Sequence, residues 1–328
     1  MAGRIEVTSR QVKALLGFAI GGVLLYLAVR HASAADMARV LGAAKAGWVV
    51  LAVFVYWLEL GARVIRWRAL LSYTGKTVGP GNATSAFLIG YAANNVLPAK
   101  LGELVRVDLI SRLSGVSRMA SLGTVVVERI FDILLILLMA GISVGLLVLP
   151  ETFDLARLRT GMILLGVFTA LVTIAGVFLV RSGISSGWNL GPAVRARLDN
   201  LVRGIHILAH PEQCGRILAF SILIWALNAV AMWLIVFAFG VSLWPLQTLL
   251  LMGIVGLAAV LPAPPAGLGV LQYAFTLVFE LLGKPSAIGL VASATVQIAL
   301  LGSVTLVGAF LFFAIVIPVS VETHATDG

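Results

Sequence analysis

The sequence predicts an all-α polytopic membrane protein with about six full transmembrane helices and two broken, re-entrant helical hairpins in an inverted repeat. Three observations predict this fold class. Of the 328 residues, 60% are hydrophobic and 11% are charged, whereas soluble domains are roughly 45–50% apolar and about 25% charged. The apolar residues gather in runs near the ~20 residues that cross a bilayer. Two of these runs are interrupted and resemble each other, so counting the hairpins as spans gives about eight.

Six apolar runs are long enough to be full crossings. They cover residues 12–30, 47–71, 121–149, 160–181, 216–240 and 286–317. The apolar core of the first run follows Arg4, Arg10 and Lys13 and precedes the sequence ASA at 32–34, which is also the layout of a cleaved secretory signal. Its apolar core is longer than that of most signals, and this favours a retained anchor. We expect one transmembrane domain over residues 1–328.

The two remaining apolar runs, 83–112 and 245–282, contain residues that end helices. The first includes NNVLPAKLGELVR from Asn94 to Arg106, and the second includes AVLPAPPAGLGVLQ from Ala259 to Gln272. Non-helical backbone at membrane depth is tolerated only where protein or a water-filled cavity shelters it. Each run is therefore predicted to be two short helices that enter and leave by one face. The residues predicted to form the breaks are Pro98, Gly102, Pro262, Pro264, Pro265, Gly267 and Gly269.

The broken runs also predict an internal repeat. VLPA begins at Val96 and again at Val260, and a Leu-Gly pair follows both copies. Each proposed unit, 47–149 and 216–317, holds a crossing, a hairpin and a long crossing. The opening crossings of the two units are three spans apart, so the units are expected to run in opposite directions. The alternative is chance similarity between low-complexity apolar sequences.

The distribution of Lys and Arg predicts the orientation. Most of them lie in the N-terminal tail, in residues 63–118 and in residues 181–216. By the positive-inside rule, both termini are then cytoplasmic in the cell inner membrane. The first hairpin is expected to enter from the cytoplasm and the second from outside.

The charge and the cysteine content narrow the partners. The formal net charge of +9 arises from basic residues that flank apolar runs. Anionic lipid head groups are the usual partner of such residues, so nucleic-acid binding is not expected. The single Cys214 excludes an internal disulfide and a cysteine metal cluster. His206 and His210 are expected to be solvated, and neither a metal nor a cofactor is expected.

Polar groups within the predicted membrane region concentrate in the first repeat. The candidates for substrate binding are Asn94, Asn95, Lys100, Glu103, Arg106, Glu128, Arg129 and Asp132. A charged side chain at the bilayer centre costs about 2.5–3.5 kcal/mol on insertion scales, so such residues are functional candidates. Arg and Lys bind phosphate, and backbone amides freed at the break add neutral donors. The set is expected to hold a phosphate carried on a lipid; a purely structural network is the alternative.

Other polar residues are expected to have structural roles. Glu59 and Arg63, four residues apart in the second crossing, are expected to pair at the membrane interface. The cluster of Arg63, Arg66 and Arg68 is assigned mainly to the positive-inside signal. In the second half, polar side chains are expected to hydrogen bond between helices; they are Asn228, Gln272 and Gln297.

Three sequence runs resemble the lysylphosphatidylglycerol synthase transmembrane, or flippase-like, family. They are LIGYAANNVLPAKLGELVRVDLI, GVSRMASLGTVVVERIFDILL and LPAPPAGLGVLQ. The resemblance covers about residues 12–317 and implies an integral inner-membrane protein related to the flippase half of the lysyl-lipid synthases. The positions that match the family motifs are Asn94, Asn95, Pro98, Gly102, Glu103, Arg106, Glu128, Arg129 and Asp132.

Two departures from the full synthases shape the expected activity. The sequence ends at Gly328 without their soluble aminoacyl-transferase domain, so lysine transfer is not expected. The second half has Thr295, Val296 and Gln297 where the repeat alignment places Val127, Glu128 and Arg129 of the first half. The second half of any two-fold site is therefore expected to lack charges.

Three functions agree with these features. The leading hypothesis is a lipid flippase for an anionic phospholipid or a lipid-linked substrate of the polyprenyl-phosphate type. A membrane-embedded glycosyl- or aminoacyl-transferase acting on a lipid is the second, with acid–base groups drawn from Glu103, Asp108, Glu128 and Asp132. The third is a non-transporting membrane partner of an enzyme in a lipid or polysaccharide biosynthesis complex. Nucleotide-binding and hydrolase motifs are absent from the sequence, so ATP-driven transport by this sequence is not expected. A transporter is favoured over an enzyme because the lysyltransferase domain is not in the sequence.

Overall fold

All regular secondary structure in the described part of the computed structural model is helical. The described residues are 22–29, 33–97, 100–150, 154–182, 191–260 and 264–316. The helices are α1 (22–29), α2 (Ala34–Gly42), α3 (Ala46–Ser72), α4 (Pro80–Val96), α5 (Gly102–Ser114), α6 (Arg118–Leu146), α7 (Leu155–Ser182), α8 (Pro192–Ile205), α9 (Pro211–Ala238), α10 (Pro245–Val260), α11 (Val270–Leu281), α12 (Ser286–Thr295) and α13 (Gly302–Leu311). A π-helical segment, Val296–Leu301, joins α12 to α13. The all-α fold class is confirmed.

Four of the described helices are long and apolar enough to cross a membrane. They are Ala46–Ser72, Leu155–Arg181, Pro211–Ala238 and Ser286–Ile315. Helix α6 is as long as these four, with 29 residues or about 43 Å at 1.5 Å per residue. It differs from them in carrying three charged residues near its middle. These five helices correspond to five of the six predicted crossings. The first predicted crossing, 12–30, lies largely outside the described residues.

Proline and glycine set the helix boundaries. Proline, whose fixed φ suits the first turn and whose missing N–H is not needed there, opens α4, α8, α9 and α10. Glycine in the left-handed region follows the two hairpins, with φ 65° at Gly115 and 63° at Gly283. Such a residue ends a helix readily because it has no Cβ to clash.

Both predicted breaks are present. Helices α4 and α5 pack together as the first hairpin, and α10 and α11 form the second. Each break contains a non-glycine residue with positive φ, Lys100 at 55° and Ala266 at 53°. This conformation is uncommon for residues with a side chain. Of the other predicted break residues, Pro264, Pro265, Gly267 and Gly269 lie in the second turn, whereas Pro98 and Pro262 lie outside the described residues.

The inverted repeat over residues 47–149 and 216–317 remains a proposal, and the helix order and contacts of the two units can be compared. The order of long, short, short and long helices in α3–α6 recurs in α9–α13. The halves exchange equivalent contacts, because α10 packs on α6 while α4 packs on α13. A Cβ added to Gly253 would lie 2.7 Å from the Cα of Ala140, and one added to Gly308 would lie 2.6 Å from the carbonyl oxygen of Leu88. Glycine thus allows close contact at both crossings.

Helix α8 lies in the connection between two predicted crossings, within the basic stretch 181–216. The helix packs on α6 through facing glycines. A Cβ on Gly204 would lie 2.1 Å from the carbonyl oxygen of Ala120. The rings of His206 and His210 follow it, 4.6 Å apart. Across the described residues, no group of His, Cys, Asp and Glu could hold a metal ion.

Candidate substrate cavity

A cavity of about 410 Å³ lies where the two hairpins meet α6 and α9. This volume is within the usual range for small-ligand sites. All eight candidate residues line it: Asn94, Asn95, Lys100, Glu103, Arg106, Glu128, Arg129 and Asp132. The second hairpin closes the opposite side with Pro264, Ala266 and Gly267. Residues that are far apart in the sequence thus share one space.

Arg66 is the centre of a buried ionic network behind this cavity. Its Nη1 atom lies 2.8 Å from Oδ1 of Asp132 and 2.7 Å from the Ser221 hydroxyl. Its Nη2 atom lies 3.5 Å from Oε1 of Glu128. Arg66 is 0% exposed, so its assignment to the positive-inside signal was wrong. The network connects α3, α6 and α9.

Arg106 attaches the first hairpin to the same network. Its Nη2 atom lies 2.5 Å from Oε2 of Glu128. The guanidinium carbon is 4.4 Å from the ring centroid of Trp67, in the range of a cation–π contact. Glu128 therefore has one oxygen facing Arg66 and the other facing Arg106. Its position, about 15 Å along α6 from Arg118, places this pairing deep within the helix bundle.

Arg129 and Lys100 are the more accessible cations of the cavity. The Arg129 side chain is 40% exposed and lies 3.2 Å from Oδ2 of Asp132 and 3.7 Å from Oε1 of Glu103. Lys100 is exposed, and within the described residues no carboxylate lies at ion-pair distance from it. The lining contains four cationic and three anionic side chains once Arg63 is included. The cavity therefore has an excess of positive charge and two cations placed to meet an anion.

The two neighbouring asparagines have different roles. Asn95 donates from Nδ2 to the carbonyl oxygen of Leu301 at 3.2 Å and to Thr305 Oγ1 at 2.9 Å. It therefore binds the first hairpin to the π segment, where the backbone bonding register changes. In contrast, the Oδ1 atom of Asn94 is buried without a hydrogen-bond partner. Asn94 is thus the better candidate for a polar contact to a ligand.

The second hairpin is held by two glutamines. Gln272 accepts from the Gly269 amide at 2.7 Å and donates to Gln297 Oε1 at 2.6 Å. Gln297 in turn donates to the Ala266 carbonyl oxygen at 3.1 Å. The expected interhelical bonding by Gln272 and Gln297 is confirmed, and Asn228 lines the cavity. This side of the cavity is uncharged, as the repeat alignment indicated.

Replacing Gln297 with Ala is expected to loosen the second hairpin. The change leaves Gln272 Nε2 and the Ala266 carbonyl without their partner, and an orphaned buried group costs about 1–3 kcal/mol. Hydrogen exchange of amides in 264–272 should become about tenfold or more faster. Amides of 100–106 are the internal control and should keep their rates. Equal rates in 264–272 for both proteins would show that the glutamines do not hold the turn.

A groove lies next to the cavity, on the side of the helix bundle. This groove, of about 580 Å³, shares Asn95, Ala266 and Leu301 with the cavity. Its outer residues Ile298 and Leu306 are 78% and 75% exposed. Such apolar exposure on a membrane-spanning helix faces the hydrocarbon. The groove is therefore a lipid-facing surface that shares part of one wall with the polar cavity.

Glu59 and Arg63 pair as expected, but in the interior and not at the membrane interface. Arg63 Nε donates to Glu59 Oε1. Glu59 is 0% exposed and Arg63 is 9% exposed. The sequence does contain a signal for this location. Helix α6 carries carboxylates within its apolar run, and these favour an inward orientation for the arginines of α3.

Comparison with known proteins identifies relatives along most of the chain. Glycosyltransferase AglD of Haloferax volcanii is 26% identical over 92% of this chain and 54% of that protein, so the chain spans about half of its length. A UPF0104 membrane protein of Methanothermobacter thermautotrophicus is 25% identical over 84% of this chain and 87% of that protein. One from Methanocaldococcus jannaschii is 22% identical over 68% of this chain and 93% of that protein. No solved structure matches the chain.

The family assignment rests on a match to a family model. The family described as "Lysylphosphatidylglycerol synthase TM region" matches residues 14–308. This range includes both hairpins, α6 and every residue that lines the cavity. The chain is therefore a membrane protein of the lysylphosphatidylglycerol synthase transmembrane-region family.

Proposed function

We propose that the protein is a lipid flippase that moves an anionic phospholipid or a lipid-linked, polyprenyl-phosphate-type substrate across the inner membrane. The observation that carries the proposal is the cavity at the two helix breaks. It has an excess of positive charge, and Lys100, Arg129 and Asn94 offer groups that are free or only partly satisfied. A guanidinium and an ammonium group are the usual ligands of phosphate.

The groove beside the π segment supports a lipid over a water-soluble anion. Its exposed Ile298 and Leu306 line the same groove as Asn95, which also lines the cavity. A head group in the cavity can therefore keep its hydrocarbon chain in the bilayer. This arrangement avoids moving the chain through a polar space, which is unfavourable at about 0.8 kcal/mol per CH₂.

The paired hairpins supply a route for alternating access. Each contributes a broken helix to the cavity wall, and in many transporters such elements from inverted repeats open in turn to the two sides. With cytoplasmic termini, as the positive-inside rule indicates, the first hairpin faces the cytoplasm and the second faces the outside. Head-group recognition then belongs to the charged first hairpin, and the uncharged second hairpin acts as a gate.

Reconstitution tests this proposal. Proteoliposomes are prepared with fluorescent phosphatidylglycerol or a fluorescent polyprenyl phosphate, and exchange between leaflets is followed by quenching of the outer label. The wild-type protein should accelerate exchange of at least one probe. Arg129→Ala should lower that rate by about tenfold or more, because a hydrogen bond to a charged group is worth about 1.5–3 kcal/mol. Lys100→Ala should act in the same direction.

Arg157→Ala is the matched control for these variants. Arg157 lies on α7, its side chain is 89% exposed, and it pairs with Asp154 away from the cavity. Its removal should leave the exchange rate unchanged. Wild-type exchange no faster than in protein-free liposomes, for every probe, would contradict the flippase proposal.

A transferase acting on a lipid is the second candidate, supported by the relative named a glycosyltransferase. The cavity carboxylates limit this candidate, because Glu128 and Asp132 already bind arginines through both oxygens. Within the described residues, the ion-pair contact of Glu103 is the one at 3.7 Å with Arg129, so Glu103 is the carboxylate available as a general acid or base. Mass spectrometry of lipids from expressing cells should then show a modified lipid that Glu103→Gln abolishes. A flippase changes the sidedness of lipids and leaves their composition unchanged.

A further inference from the structure

The pair of Glu59 and Arg63 lies between the cavity and the interior of the bundle. Arg63 lines the cavity, and the Glu59 side chain behind it is 0% exposed. The guanidinium of Arg63 donates to Oε1 of Glu59 from one turn further along α3. Arg63 therefore has a carboxylate on one side and the proposed head-group site on the other.

Arg63 satisfies only part of the hydrogen-bonding capacity of the Glu59 carboxylate. Its Oε2 atom is buried and has no hydrogen-bond partner, and the hydroxyl of Tyr56 on the same helix is also buried without one. A carboxylate removed from water keeps its charge only while it is paired and hydrogen-bonded. If Arg63 moves away, Glu59 has no described cation left at ion-pair distance, and binding a proton becomes the favourable outcome.

Within the described residues, no carboxylate other than Glu59 is available to pair with Arg63. A competing anion can therefore reach Arg63 only through the cavity. The groups that act electrostatically on the pair are Tyr56 on α3, Tyr91 on α4, and Asp132 and Arg129 on α6. Asp132 is already bound by Arg66, Arg129 and the indole N–H of Trp225. The residues that α9 and the π segment place on the cavity wall are uncharged: Trp225, Asn228, Met232, Val296 and Leu301.

We propose that binding of an anionic head group is coupled to uptake of one proton by Glu59. This inference rests on the flippase proposal above. A phosphodiester that enters the cavity draws the Arg63 guanidinium away from Glu59 and forms a new ion pair with it. Glu59 then binds one proton and becomes a neutral acid. The incoming negative charge and the incoming proton cancel, so the net charge of the site does not change. On release of the lipid, Arg63 returns and the proton leaves.

The coupling identifies a source of energy for transport. A site that carries a lipid anion and a proton together responds to a proton gradient, because protonation on one side favours loading and deprotonation on the other favours release. Binding should weaken about tenfold per unit increase in pH wherever Glu59 is deprotonated in the free protein and protonated in the complex, since one proton is taken up per lipid.

Proton uptake on binding tests the proposal directly. Dioctanoyl phosphatidylglycerol, whose phosphodiester does not titrate near neutral pH, is added to the purified protein in weakly buffered detergent with a pH-sensitive dye. The wild-type protein should take up about one proton per bound lipid. Glu59→Gln should still bind the lipid, take up no proton and lose the pH dependence of binding. Glu212→Gln, an exposed change at the start of α9, should behave as the wild type.

The outcomes separate this inference from the proposed function. Lipid binding by the wild type without proton uptake would overturn the coupling and leave the flippase proposal standing. Proton uptake that persists in Glu59→Gln would assign the proton to another group and overturn the role of Glu59. Failure of phosphatidylglycerol and of a short polyprenyl phosphate to bind would count against both. If Glu59→Gln does not fold, Glu59→Gln with Arg63→Gln removes both charges together and should bind more weakly, again without proton uptake.

Discussion

Replacing Arg66 with Met should destabilise the protein by about 3–5 kcal/mol, the usual cost of removing one partner of a buried ion pair. Arg66 is fully buried and bonds Asp132, Glu128 and Ser221. Its loss leaves two carboxylates on α6 with fewer donors than they need. Unfolding of the detergent-solubilised protein, followed by intrinsic tryptophan fluorescence, measures the effect. The variant should also accumulate poorly in the membrane.

Two further variants separate the ionic network from a general effect of losing an arginine. Arg68→Met removes a neighbouring exposed guanidinium that bonds only the Val78 carbonyl, so it should change stability by less than about 1 kcal/mol. Arg66→Met combined with Asp132→Asn should recover part of the loss, because one unpaired carboxylate is neutralised. Equal stability of Arg66→Met and the wild type would show that the network does not hold the bundle together.

Replacing Gly102 with Val should abolish the cavity as a binding site. A Cβ at this position would lie 2.1 Å from the Gly90 carbonyl oxygen and 2.4 Å from the Asn94 amide nitrogen. Both neighbours are backbone atoms, so no side chain can rotate away and α5 must separate from α4. Overpacking of this kind costs about 1–3 kcal/mol or more. The separation also moves Asn94 and Arg106, and exchange of the fluorescent lipid between leaflets should fall by about tenfold or more.

Gly81→Val is the control for this change. Gly81 lies on α4 of the same hairpin, and a Cβ there meets nothing within 4 Å. The same substitution should therefore leave both lipid exchange and thermal unfolding close to wild type. If Gly102→Val retains full exchange, the close contact between α4 and α5 is not needed for the cavity.

The breaks of the two hairpins were predicted from local sequence alone. Proline and glycine limit the backbone conformations of their own and adjacent residues, so VLPAKLG and VLPAPPAGLG end helices whatever surrounds them. The structure confirms both interruptions, with left-handed residues at Lys100 and Ala266. The inverted repeat and the membrane orientation stay predictions, because they depend on how whole helices are arranged in the membrane and not on the local backbone.

Six of the eight candidate residues were found because charge inside an apolar segment is costly and therefore informative. All eight line one cavity. The same rule applied to Arg66, but that arginine sits in the basic sequence RVIRWR near the end of a span, where cytoplasmic exposure is the commoner arrangement. Its burial depends on the rotation of α3 toward α6 and α9, and one helix contains no signal for that rotation.

The amino-acid sequence was sufficient for the membrane environment, the positions of most helices, the two breaks and the concentration of charge in the first half. These properties depend on the hydrophobicity and backbone preferences of residues that are neighbours in the chain. The tertiary structure was needed to show which charges neutralise one another, which asparagine remains available and how the second hairpin closes the cavity. Arg66 and Asp132 are 66 residues apart, and Asn95 and Thr305 are 210 apart. Such pairs form only when helices pack, because packing decides which face of each helix leaves the lipid.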